Sequence, residues 1–118
     1  MLTHLLAAAT LVLTPGAPRQ AQGNEMTLTG TVIDLNCYVA QGVIGANHKS
    51  CTEACAKAGV QLGILSSDGT IYLPVSAKAG DPTNPRLLQF AEGKVKVTGT
   101  HRLVNGLHTI EIKTITAA

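Results

Sequence analysis

Asn84-Pro85-Arg86-Leu87-Leu88-Gln89-Phe90-Ala91-Glu92-Gly93 decides how the rest of this chain is arranged. Asn is a favourable helix cap, Pro is tolerated in the first turn because the amide it lacks would have no partner there, and Gly is a natural stop. Leu87, Leu88, Phe90 and Ala91 supply an apolar stripe. The segment is predicted to be a short helix capped by Asn84 and stopped at Gly93.

Sequence of a different period flanks it on both sides. Downstream, Lys94-Val95-Lys96-Val97-Thr98-Gly99-Thr100 alternates, and Asn105-Gly106 turns it back into Leu107–Lys113. Period two means a strand with one buried face, and Asn-Gly accommodates the positive φ values of a tight hairpin. Upstream, Gln61–Leu65 and Thr70–Val75 flank Ser67-Asp68-Gly69, a second hairpin of the same kind. Met26-Thr27-Leu28-Thr29-Gly30-Thr31-Val32-Ile33 alternates too and is predicted to be a first strand ending near Asp34. The order is thus strand, loop with a helix, two strands, helix, two strands.

Five strands with a helix between the third and fourth is the order of an OB-fold, a small Greek-key barrel, and Gly30 and Gly99 fall where barrel strands bend. The prediction is a mainly β domain: a five-stranded OB-like barrel with one short helix in the first loop and one between strands 3 and 4. A two-layer α+β sheet shares that order.

Ahead of the domain, Leu5–Leu13 is an apolar run of nine residues broken by Pro15-Gly16. It is far short of the roughly 20 residues that span a bilayer, so residues 1–23 are predicted to be a cleaved signal peptide, although Met1–His4 carry no Lys or Arg. Ala21-Gln22-Gly23 offers a small-x-small cleavage site before Asn24, and Thr14–Ala17 an earlier one. The expected product is a periplasmic or secreted domain, residues 24–118, with no membrane span after cleavage. Past Arg19, eight Lys and Arg face seven Asp and Glu, and the aromatic residues are Tyr38, Tyr72 and Phe90. Neither a broad positive field nor a stacking platform for bases is supplied, so no nucleic acid is expected as a partner. Lys94, Lys96 and Lys113 read as the solvated face of alternating strands. With no Ser-His-Asp arrangement, phosphate loop or carboxylate pair legible, no enzyme is predicted.

The chemistry gathers in the first loop, which holds Cys37, His48, Cys51 and Cys55. Ser50-Cys51-Thr52-Glu53 has the capping-box form and predicts a helix starting at Cys51, with Gly59 as its stop. Cys51 and Cys55, four apart, share a face; His48 can fold back toward it, and Cys37 enters from the end of strand one. These four residues can converge as a tetrahedral Cys3His metal site, suited to Zn(II) or, with fewer ligands used, Cu(I). Two alternatives stand beside it. One is a disulfide from Cys37 to Cys51 or Cys55, with a thiol left over; the other is a redox thiol pair. Asp34 can orient His48 or cap the loop. His101 and His108 read as surface residues of the last two strands.

Gly30-x-Val32-x-Asp34-x-x-Cys37, then His48-x-x-Cys51-x-x-x-Cys55-Ala56, then Asp68-Gly69 ahead of Tyr72 and Leu73, and Val95-x-Val97-x-Gly99 cover most of the domain. On these motifs the chain resembles a set of small exported bacterial proteins, and Thr52 departs from their usual pattern at a position facing away from the cysteines. The resemblance implies export and one β-rich domain, with no activity attached. The expected function is that of an exported accessory protein that binds Zn or Cu, or acts in thiol redox, through the Cys/His cluster. The alternative is a disulfide-stapled interaction module, a subunit of a larger exported complex.

Overall fold

In the computed structural model, which describes residues 10–12 and 22–118, the alternating runs become β1 (Asn24–Asp34), β2 (Leu62–Ser66), β3 (Ile71–Val75), β4 (Lys94–Val104) and β5 (Leu107–Ala117). Of the predicted leader only residues 10–12, 22 and 23 fall among the described residues. The strands close into a barrel in the order β1-β2-β3-β5-β4, with β4 returning to β1. All neighbours are antiparallel except β3 and β5, which run parallel. This is the OB-like barrel, and the closed sheet leaves no second layer for the α+β alternative.

β1 serves two neighbours. Asn24–Thr31 pair with β4 and Gly30–Asp34 with β2, so the strand bends from one sheet edge to the other around Gly30. A Cβ there would lie 2.6 Å from the Leu65 carbonyl oxygen and 2.8 Å from Ile64 Cγ2, so only a hydrogen fits. On β4 the bend comes at a register shift between Thr98 and Gly99. Asn105 (φ 50°) and Gly106 (φ 83°) form the predicted tight turn.

Period two sends Leu28 and Val32 inward with Leu62, Ile64, Tyr72, Val95, Val97, Ile110 and Ile112, and Leu87 packs onto them from the helix before β4. Fully burying an aliphatic side chain contributes about 1.5–3 kcal/mol, so this cluster is the main source of stability. β3 is the least held strand. It pairs with β2 only at Tyr72 and Ile71, and with β5 through Leu73, Pro74 and Val75, of which Pro74 has no amide to donate.

The helices differ from expectation in instructive ways. The first loop holds two: α1 (Leu35–Gln41) and α2 (Lys49–Lys57), joined by a 3-10 turn at Ala46–His48. Asp34 caps α1 by accepting from the Cys37 amide at 2.9 Å, and Gly42 (φ 68°) ends it by donating to the Tyr38 carbonyl at 2.8 Å. α2 starts at Lys49 rather than Cys51, and the capping box is not formed. The 3-10 turn runs straight into the helix, so Ser50 lies inside it and His48 holds the cap position with no side-chain bond. Gly59 (φ 98°) follows its end, as predicted.

The helix predicted over Asn84–Gly93 is a single turn, α3 (Asn84–Leu87), followed by a 3-10 turn at Leu88–Phe90. Asn84 is its first residue rather than its cap. Its side-chain oxygen accepts from the Leu62 amide at 3.0 Å, and its Nδ2 donates to the carbonyls of Val60 at 2.7 Å and Ala56 at 3.2 Å. Three bonds to backbone groups at the end of α2 and the start of β2 outweigh one to a helix amide. The left-handed position after the 3-10 turn is taken by Glu92 (φ 57°), not by Gly93. No helix among the described residues is long and apolar enough to cross a membrane.

Candidate metal centre

The centre is built from the end of β1 outward. Alternation along β1 puts Asp34 on the inward face with Val32, and the carboxylate is fully buried. One oxygen, Oδ1, caps α1; the other, Oδ2, is buried without a hydrogen-bond partner. The α1 turn that Asp34 starts presents Cys37, and the 3-10 turn presents His48, whose Nε2 is likewise buried and unpartnered. One ligand atom each from Asp34, Cys37 and His48 lies within 4.8 Å of the other two. A carboxylate and an imidazole that each bury an unsatisfied atom, grouped with a thiol, are costly unless something is shared among them.

Of the residues predicted as ligands, Cys37 and His48 are thus brought together, and Cys51 and Cys55 stand outside that triad on α2. Cys51 is exposed and Cys55 half-buried, and all three cysteines are free thiols. The neighbouring Asp34 carboxylate, together with burial and the adjacent Cys51, pushes the pKa of the Cys55 thiol up to about 11. Burial also pushes up the Cys37 thiol, helped by the charges of Asp34 and Glu92 and by Cys51. Asp34 therefore does the capping that its spacing suggested and, with its second oxygen unpartnered, joins Cys37 and His48 as a candidate ligand, a role the sequence reading did not give it. The inward parity of β1 was the available signal.

An alkylation experiment separates the thiols. At pH 8 Cys55 holds on the order of a hundredfold less thiolate than an ordinary cysteine, because thiolate falls tenfold for each unit by which the pKa exceeds its usual value. In the metal-free protein, iodoacetamide followed by peptide mapping is expected to label exposed Cys51 first and Cys55 last. Equal labelling of the two would contradict this geometry.

Three further residues, Glu92, His101 and His108, depart from the sequence reading. Glu92 accepts from the Gly45 amide at 2.9 Å and from the buried Thr52 hydroxyl at 2.7 Å, tying the first loop to the segment before β4. His101 and His108, read as surface residues, are half-buried: their rings, within 16° of coplanar, meet at 2.9 Å between Nε2 and Nδ1, and both turn an edge relation to Tyr72. Lys94 and Lys96 are exposed, as the solvated-face reading requires. Comparisons with family models, curated proteins and solved structures return no match to this chain.

Proposed function

We propose that this is an exported accessory protein, periplasmic or secreted, that binds one Zn(II) ion through Asp34, Cys37 and His48. The observation that carries the reading is the pair of buried, unpartnered atoms, Asp34 Oδ2 and His48 Nε2, set beside the Cys37 thiol. A dication between them would satisfy both at once. The donor set favours zinc over Cu(I): thiolate and imidazole suit either ion, but a carboxylate oxygen is a poor ligand for a soft monocation and an ordinary one for zinc. Cys55, whose thiol feels the Asp34 carboxylate, is a candidate for a fourth ligand. The role is binding rather than catalysis.

Native mass spectrometry of the protein recovered from an exported fraction, with free-thiol counting on the same sample, tests this. A stoichiometric zinc adduct with all thiols alkylatable on denaturation supports the centre. A metal-free mass two hydrogens light, with one free thiol, would replace it with a disulfide-stapled module.

A further inference from the structure

Among the described residues, the non-glycine residues with a left-handed backbone are Asn105, at a tight turn where Asn is at home, and Glu92, φ 57°. A glutamate gains nothing local from that conformation and carries its steric cost, so the surroundings must hold it there. What it does there is specific. Its amide donates to the Val32 carbonyl at 2.8 Å, fastening it to β1 two residues before Asp34. One carboxylate oxygen takes the Gly45 amide, and the Gly45 carbonyl in turn accepts from the His48 amide at 2.9 Å. The other oxygen takes the hydroxyl of Thr52, which is fully buried on α2 between Cys51 and Cys55. β1, the turn that leads to His48 and α2 are therefore joined at this one residue, its amide holding β1 and its carboxylate the other two, while Glu92 itself is not among the ligands.

We infer that Glu92 is the positioning residue of the centre, holding the His48 turn and the α2 cysteines against Asp34 and Cys37 before any metal arrives. The inference rests on the zinc reading above. Its backbone conformation supplies the test, because glycine suits a left-handed position better than glutamate does. Glu92→Gly removes the carboxylate while relieving the backbone, so its metal-free melting temperature is expected to stay within about 5 °C of wild type. Zinc affinity, measured by competition with a chromophoric chelator, is expected to fall roughly 10–100-fold, the usual cost of losing a group that orients ligands. Glu92→Gln, which keeps one acceptor oxygen for two donors, should fall between the two. In the metal-free protein the Gly45 amide should exchange with solvent deuterium at least about tenfold faster in Glu92→Gly, since its acceptor is gone.

Unchanged zinc affinity in Glu92→Gly would overturn the inference. So would a variant whose melting transition and affinity collapse together, which would make Glu92 a residue of the barrel rather than of the centre. Failure of the wild-type protein to bind zinc would sink the centre itself, and the Gly45 exchange rate would then still decide whether Glu92 holds the loop.

Discussion

Replacing His48 with Ala is expected to abolish tight zinc binding while leaving the barrel folded. The imidazole sits in a loop, half-buried, outside the core cluster, so its removal opens no cavity among the barrel residues. What it removes is the nitrogen donor of the triad, which would share a cation with Asp34 and Cys37. Loss of a direct ligand exceeds the 10–100-fold cost of disturbing an outer-shell group, so a drop of more than about 100-fold is expected by calorimetric or chelator-competition titration. Cys37→Ser should behave alike. Zinc should also raise the melting temperature of the wild type and not that of either variant, because a ligand bound only by the folded state stabilises it by mass action. A His48→Ala protein that binds zinc as tightly as wild type would remove the triad from consideration.

Gly30→Val is expected to be the most damaging single change in the barrel. The added Cβ would press on the backbone of Leu65, which cannot rotate away as a side-chain end can, and the two γ-methyls would enter a core already filled by Ile64. Overpacking alone costs about 1–3 kcal/mol, and here the strand must also shift at the one place where β1 pairs with both β2 and β4. A loss of about 4 kcal/mol or more is expected, a large part of the stability of a domain this size. Circular dichroism melting would show it, with Thr31→Val, on the half-buried side of the same strand, as a near-neutral control. An unchanged melting temperature in Gly30→Val would mean that β1 does not bend against β2 as described.

Much of this was legible because period and turn chemistry act locally. Asp68-Gly69 and Asn105-Gly106 between alternating runs set both hairpins, and a helix between the third and fourth strands set the topology. The misreadings share a different origin. Ser50 and Asn84 both carry side chains that favour helix starts, and the tertiary surroundings overrode each. A preceding 3-10 turn absorbed the cap at Ser50, and three backbone partners from distant segments claimed Asn84. α1 was missed because its seven residues bury none of their side chains and so carry no amphipathic stripe, although Asp34 and Gly42 marked its two ends.

The site divides in the same way. Cys37 and His48 can be picked by residue type and Asp34 by its spacing, but its second oxygen becomes a candidate donor only once the strand turns it inward. Glu92 lies far along the chain from both of the donors its carboxylate accepts from, and nothing in its neighbourhood announces them. Long-range hydrogen bonds of this kind leave no periodic trace.

The uneven stitching of the barrel bears on how it moves. β3, short and interrupted by Pro74, forms the seam through which the sheet is closed, whereas the first loop hangs from the firmly paired end of β1 and is latched to the segment before β4. Local opening follows the fewest hydrogen bonds, so thermal breathing is expected to concentrate along β3, between its few partners on β2 and β5. The wall of the barrel can part there and reseal while Asp34, Cys37 and His48 keep their mutual distances.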